Sequence, residues 1–473
     1  MEREARNPAH AGLKAINYEP RTIRFNMKKT IRHEAVDILN SISQSQAFAG
    51  DLLSACLDEQ NLSGTADGRL LTHLVYGVLR HQGHLDWMLT HLYRGDFAKM
   101  ENGVKNILRT GLYQLKLSDR LPAFAVVDEA VKIAKRINPG AGGLVNAVLR
   151  SYLRNADKIS FPSLEKNPAE HIAAFYSHPL WLVKIWLNIF GQEETIALCQ
   201  ANNELPPLTL RVNTLKVSRE DLTQKLKSED FSCGPTQFSP DGIILSDTPR
   251  PIQKTFFFKE GLLRLQDEAA QLVSHLVDPR SGESVLDVCA GSGGKTTHLA
   301  ALMKNTGRLV ALDRDLGKIA QLTKDATRMG ASVIESTQAD LGQTLPEGFV
   351  DEFDHVLVDV PCSGTGTLRR NPEIKWRLKS TDIPTLAKTQ NTILQNASAA
   401  VKNGGRLIYC TCSILPAEND DVIRQFLMDN SQFTVEIPPG AISGHLKDSY
   451  FFRTYPHHHA TDGFFGAVLR RRI

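Results

Sequence analysis

Near residue 255 the hydrophobic spacing of this chain changes, and that change constrains the fold more than any other feature. From about 28 to 155, apolar residues recur at i, i+3 and i+4 in HEAVDILNSI, LLSACLDEQ, RLLTHLVYGVLRHQGHLDWMLTHL, GVKNILRTGLYQLKL, AVVDEAVKIAKRI and GLVNAVLRSYLRN. That is the stripe of helices that each bury one face. After 255, short apolar runs alternate with helical stretches. LLRLQ, SVLDVC, RLVALD, SVIES, HVLVDV, RLIYC, FTVEI and FFGAVLRR read as strands, with KTTHLAALMK, LGKIAQLTKDATRMG and IPTLAKTQNTILQNASAAVK as helices between them. Such alternation predicts a largely parallel, doubly wound sheet. FTVEI and FFGAVL lack an obvious crossover helix, which predicts an antiparallel pair at the sheet edge.

Between these regions, HPLWLVKIWLNIF, EETIALCQANN and SREDLTQKLKSE read as helices and LTLRVNT and GIILS as strands, a small α+β module. The expected organisation is a disordered extension over 1–27, an all-α bundle over 28–155, the α+β module over 156–250 and an α/β domain of Rossmann-like type over 251–473. A chain of 473 residues has room for two to four domains. Helical patterning begins at Met27, an alternative start. No apolar run approaches the ~18–20 residues of a membrane helix, and residues 1–30 lack the apolar core of a signal peptide. A cytoplasmic location is therefore expected, with no membrane partner. The seven cysteines are odd in number and form no C-x-x-C pair, which argues against a disulfide framework or structural zinc. Net charge is only +3, but LRRNPEIKWRLK and the terminal LRRRI concentrate basic residues that can neutralise phosphates.

In a doubly wound sheet, ligands sit beyond the C-terminal strand ends near the switch point. The first such end is SVLDVC followed by Ala290-Gly291-Ser292-Gly293-Gly294-Lys295, where glycines permit a tight turn and close ligand approach. It is no Walker A loop, because Cys289 occupies the position of the first glycine, and no G-x-G-x-x-G, because the last position is Thr296. S-adenosylmethionine fits better than a nucleoside triphosphate or a dinucleotide. Asp313, Asp340 and Asp359 end or follow three successive strands, where carboxylates can accept bonds from ribose hydroxyls and an adenine edge. The bland alternative for each is a cap or a strand end.

Cys362 in DVPCSGTG and Cys412 in YCTCS follow two of the strands, fifty residues apart. Carbon 5 of cytosine is too weak a nucleophile to take a methyl group directly. A thiolate that adds to carbon 6 creates an enamine that can, so two thiols beside such a cofactor site suggest covalent pyrimidine methylation. Cys289 and Cys410 are expected to be buried structural thiols, with Cys410 facing away from Cys412.

DVPCSGTG, RRNPEIKW, YCTCS and the terminal DGFFGAVL resemble the RNA cytosine-5 methyltransferase family, in particular its bacterial small-subunit rRNA branch. GLLRLQDEAAQLV resembles the family's entry into its catalytic domain and PPLTLRVNTLK the module before it. LVYGVLR, LRTGLYQL, AVVDEAVKIAK and GLVNAVLR resemble the NusB-like RNA-binding domain found in that branch. The resemblance spans about 440 residues and implies Cys412 as nucleophile and Cys362 as the thiol that assists product release. It also implies a cofactor site of Cys289, Ala290, Gly291, Ser292, Gly293, Gly294 and Lys295 with Asp313, Asp340 and Asp359, and no metal. The implied substrate is 16S rRNA in an unassembled or partly assembled subunit, methylated by a monomer, with no DNA partner. Lys295 and Asp359 are further candidates for orienting the cytosine. Two departures stand out: Gly291-Ser292 replaces the family's Ala-Pro, and Val360 replaces the Ala of D-A-P-C-S. Trp376 is either beside the base pocket or packed under its loop, and His457–His459 read as surface or RNA-facing loop residues. The competing readings are the same chemistry on tRNA or large-subunit rRNA, a non-catalytic assembly factor, and a DNA cytosine methyltransferase, which would not need Cys412.

Overall fold

The computed structural model describes residues 29–473 apart from Gln46, residues 118–121, Ala441, Ser443 and Ser449. The extension expected over 1–27, with the alternative start at Met27, lies outside the described residues. The six helical patterns form α1 (Ile31–Gln44), α2 (Ala49–Glu59), α3 (Ala66–Leu92), α4 (Asn102–Leu117), α5 (Ala123–Ile137) and α6 (Ala141–Asn155). Thr30 and Thr65 accept bonds from the N–H groups of His33 and Gly68 and cap α1 and α3. The apolar stripes meet in one core, where Ile38, Leu71, Val78, Leu108 and Leu149 are fully buried. Each such side chain contributes about 1.5–3 kcal/mol of burial.

Next come α7 (Pro168–Phe175) and α8 (Leu180–Asn203). The two helices expected in the latter stretch meet at Gly191, whose φ of 77° interrupts the helical backbone. A four-stranded antiparallel sheet follows, built from β1 (Leu208–Val212), β2 (Ser232–Pro235), β3 (Gly242–Asp247) and β4 (Leu263–Leu265) in the order β2-β3-β1-β4, with α9 (Arg219–Lys227) and α10 (Phe256–Lys259). LLRLQ was expected in the large sheet. Its strand β4 instead occupies the open edge of β1, because Leu210 and Leu263 share the core of the small module.

The remainder is a mixed sheet flanked by helices. In chain order it comprises α11 (Glu268–Val277), β5 (Ser284–Val288), α12 (Thr296–Leu302), β6 (Arg308–Asp313), α13 (Leu316–Met329), β7 (Ile334–Gln338), β8 (Phe353–Asp359), α14 (Ile374–Arg377), α15 (Asp382–Ser398), β9 (Val401–Thr411), α16 (Asp420–Asp429), β10 (Phe433–Glu436), β11 (Lys447–Asp448), β12 (Phe451–Thr454), α17 (Pro456–His459) and β13 (Phe464–Arg471). Strand order is β11-β12-β13-β9-β8-β5-β6-β7. Pairing is parallel from β9 through β7 and antiparallel between β13 and β9. Both β10 and β12 pair antiparallel with β13 at its other side, the edge arrangement the missing crossover predicts. Alternate residues face opposite sides: Leu286 and Val288 meet Leu394 and Phe426, whereas Val285 and Leu309 meet Leu272, Leu276 and Leu299. Strands covered on both faces read as continuous apolar runs. The order reverses at β5, which has β6 on one side and β8 on the other, so the C-terminal ends of β5, β6, β8 and β9 frame one crevice.

Candidate active site

The glycine-rich turn leaves β5 through three left-handed residues, Cys289 (φ 62°), Gly291 (φ 59°) and Gly293 (φ 80°). A Cβ at Gly293 would stand 2.7 Å from Leu322, so a side chain there displaces α13. Asp313, at the end of β6, accepts from the Gly291 N–H at 2.9 Å, and its other oxygen accepts from Asp315 N–H at 2.9 Å. Asp340 follows β7, is partly exposed, and accepts from Gly342 N–H at 2.9 Å. Asp359 ends β8 and pairs with the buried Lys295 ammonium at 2.5 Å. Burial favours loss of the Lys295 proton, but the Asp359 carboxylate, together with Cys410 and Cys412, offsets this and holds the ammonium above the usual lysine range. Ser292, one of the departures from the family pattern, is fastened by Arg264 of β4 through its carbonyl at 3.1 Å and its hydroxyl at 3.0 Å. Arg211 of β1 reaches the same turn, bonding the Gly294 carbonyl, and Thr297 at 2.8 Å. The small module thus stiffens a turn that lacks the family's proline.

Asp287, inside β5, belongs with this group although sequence reasoning did not single it out. One oxygen accepts from Thr296 at 2.6 Å, while the other is buried without a partner. Burial, with Asp359 and Asp313 nearby, pushes its carboxyl up to about 7. The Cys289 thiol is pushed up to about 12, by burial first and then by Asp313, Asp359 and Asp287. A crevice so ringed with carboxylates repels phosphate and attracts cationic groups.

Register brings the two cysteine loops together. β8 and β9 are parallel neighbours with Asp359 opposite Cys410, so Cys362 and Cys412 emerge at adjacent ends with their sulfurs 3.2 Å apart. Glu418 holds both loops. This fully buried carboxylate accepts from Ser363 N–H at 2.8 Å, Ser363 Oγ at 2.5 Å, Ser413 Oγ at 2.6 Å and Gln390 Nε2 at 2.9 Å. Neither Glu418 nor Gln390 was expected from sequence; the available signal was the Ser that follows each cysteine. Gly366 N–H donates to the Cys412 carbonyl at 2.9 Å, and a Cβ at Gly366 would collide with the Gly463 carbonyl. The DGFF segment therefore packs directly on the cysteine loops.

Charged side chains surround the two thiols. Lys295 interacts electrostatically with Cys410 and Cys412, and Cys362 interacts with Cys412 and Glu418. The Cys412 sulfur and burial, with Glu418 adding to them, push the Cys362 thiol well above the ordinary thiol range. Both causes favour the neutral thiol at Cys362. The expectation that Cys410 faces away from Cys412 fails: Cys412, just past the end of β9, packs against the same core layer that contains Cys410. Cys410 is fully buried, opposite Asp359 on β8, and held well above the usual thiol range by burial first and that carboxylate second.

The basic segment RRNPEIKWRLK is largely internal wiring rather than a phosphate-facing surface. Arg370 bonds Asp267 at 2.6 Å and Asp462 at 2.8 Å. The buried Lys375 donates to the carbonyls of Arg80 and Ser177 and to Asn203 at 2.9–3.0 Å. Trp376 packs on the helical bundle and donates to the Leu79 carbonyl at 2.7 Å. His457 is likewise not a surface residue: it is buried in α17, 3.1 Å from Glu194, and burial pushes it down to about 4. His458 is half exposed and 2.8 Å from the same carboxylate. Among the described residues, no helix is long and apolar enough to cross a membrane.

A family model described as 16S rRNA methyltransferase RsmB/F matches residues 274–470, and models for the NusB family and for the RsmF/B-like ferredoxin-like domain match 29–154 and 178–253. Over 94% of its length the chain is 36% identical to the whole of a probable ribosomal RNA small subunit methyltransferase B from Bacillus subtilis. The chain belongs to the RsmB/F family. It is 35% identical, over 93% of its length and 99% of the relative, to a probable ribosomal RNA small subunit methyltransferase B from Synechocystis. The crystal structure of PH0851 superposes with a TM-score of 0.79 at 27% identity, covering 94% of this chain and all of that one. A helical NusB domain, a ferredoxin-like module and a Rossmann-like catalytic domain are thus the three parts of an S-adenosylmethionine-dependent rRNA methyltransferase of this family. The site fits that cofactor: the orphaned Asp287 oxygen suits an ammonium, and the carboxylate ring suits a sulfonium.

Proposed function

We propose that this RsmB/F-family protein methylates carbon 5 of a cytosine in 16S rRNA through a covalent adduct at carbon 6. The observation that carries this reading is the pair of sulfurs 3.2 Å apart at the adjacent ends of β8 and β9, where Asp359 of β8 pairs with Lys295 of the cofactor turn. Cys412 adds as a thiolate to carbon 6, forming the S–C bond and leaving electron density on carbon 5. Bound S-adenosylmethionine supplies an electrophilic methyl group. Loss of the carbon 5 proton to solvent and cleavage of the S–C bond then restore the aromatic ring. Cys362 donates its S–H hydrogen bond to the emerging Cys412 thiolate and so eases product release. The turn from Cys289 to Lys295, with Asp313, Asp340 and Asp359, holds the cofactor. Lys295 and Asp359, joined at 2.5 Å, orient the cytosine. The base must leave its stack to expose carbon 6, so the substrate site is single-stranded or flipped.

Trapping with 5-fluorocytosine-containing 16S rRNA tests the scheme, because fluorine blocks proton loss from carbon 5. Wild type should form a stable adduct and Cys412→Ala none, while Cys362→Ala should accumulate adduct on ordinary RNA. Adduct from Cys412→Ala but not from Cys362→Ala would reverse the two roles. Bisulfite sequencing of the methylated RNA reports the nucleotide.

A further inference from the structure

The cavity that opens on the two cysteines is not walled by the catalytic domain alone. It measures about 530 Å³ and is lined by Cys362, Gly364, Asn371, Arg377 and Cys412 together with Phe48 of the helical bundle. A space of that order accepts a ligand of drug size, more than a single pyrimidine ring. Phe48 immediately precedes α2 and is 44% exposed. A large ring left in water forfeits the free energy of burial. Here its neighbours hold it in place: Arg377 donates to the Ala47 carbonyl at 3.0 Å, and the buried Glu373 accepts from Ala49 N–H at 2.9 Å, at the N-terminus of α2. The Arg377 guanidinium sits over the Phe48 ring, 4.9 Å from its centre. A fixed aromatic face beside a cation, at the rim of a cavity that receives a nucleotide, is the chemistry by which proteins grip single-stranded RNA.

We infer that Phe48 and Arg377 form a nucleobase subsite, on which an rRNA base next to the target nucleotide stacks while the guanidinium faces its backbone. The helical bundle then takes part directly in substrate selection rather than acting only as a remote anchor. The inference rests on the reading that RNA enters this cavity, and it specifies which side chain grips it.

The test uses the full chain, an unmethylated 16S rRNA transcript and single-turnover transfer of a labelled methyl group at varied RNA concentration. Phe48→Ala should raise the half-saturating RNA concentration by roughly five- to hundredfold, the range for loss of one stacked base. Phe48→Leu, which keeps apolar bulk without a π-face, should show the same loss, and Phe48→Trp should retain wild-type affinity. S-adenosylmethionine binding and the thermal midpoint should be unchanged in all three, since the ring is half exposed. Phe48→Ala or Phe48→Leu saturating at the wild-type RNA concentration overturns the subsite. Wild type failing to form the fluorocytosine adduct overturns the proposed chemistry instead, and wild type failing to bind or methylate this RNA overturns both.

Discussion

Replacing Glu418 with Ala should damage both stability and methyl transfer, because one buried carboxylate holds the two cysteine loops at once. Four donors converge on it, from Ser363 N–H, Ser363 Oγ, Ser413 Oγ and Gln390 Nε2, at 2.5–2.9 Å. A buried donor left without an acceptor costs about 1–3 kcal/mol. The hydroxyls can rebond, since Ser363, Thr365 and Ser413 lie 3.1–3.2 Å from one another. Gln390 keeps the Pro361 carbonyl at 3.1 Å. The uncompensated loss is therefore mainly the Ser363 N–H and the cavity, and on the order of 2–4 kcal/mol in all. Catalysis should suffer more, because a displacement of about 1 Å between reacting groups can cost ~100-fold, and the hydroxyl contacts that remain do not replace the acceptor of the Ser363 N–H. Glu418→Gln should fall between: one oxygen still accepts, but the amide turns N–H groups toward existing donors. Urea unfolding gives the stability change, and single-turnover methylation at saturating RNA and cofactor gives the rate. Glu418→Ala with wild-type rate and unfolding midpoint would refute the clamp.

Further outcomes are specific to other contacts. Lys295→Met should abolish methylation and destabilise by on the order of 2 kcal/mol, since it strands Asp359 in a partly buried site; unfolding and tritium transfer measure the two effects. Arg211→Met should loosen the cofactor turn by removing its bonds to Gly294 and Thr297, seen as weaker S-adenosylmethionine binding in calorimetry with methylation restored at high cofactor concentration. Burial pushes the His298 imidazole down to about 3, and its Nε2 donates to Asp241 at 2.9 Å. Between that value and the unfolded value of ~6.5 the unfolded chain binds more protons, so stability must fall as pH falls through this window, by up to ~1.4 kcal/mol per pH unit. Unfolding at pH 5 and pH 7 should show that loss, and His298→Gln should flatten it.

Several features were legible because they are local. Six helical stripes, the strand–helix alternation and the left-handed turn after β5 each arise from residues within a few positions of one another. The small sheet was harder, because a three-residue strand such as Leu263–Leu265 carries no sign of which edge it will join. Composition also misled at the basic segment: Arg369 and Lys375 are buried, since long cations can satisfy carbonyls and carboxylates between domains as readily as phosphates outside them. The triple histidine failed similarly, with His457 turned inward against Glu194.

By itself the sequence determined the order of modules, the cofactor turn and the presence of two thiols at strand ends, because periodicity and turn chemistry are written in neighbouring residues. Only the tertiary structure decided what surrounds those thiols. The parallel register of β8 and β9 brings the sulfurs within 3.2 Å, Lys295 arrives from the β5 turn, and Glu418 arrives from beyond β9. Likewise it set Phe48 at the rim of the same cavity, through a bond between Ala49 and Glu373 that spans 324 positions. Contacts over such separations depend on how whole elements pack, and no spacing rule along the chain encodes them.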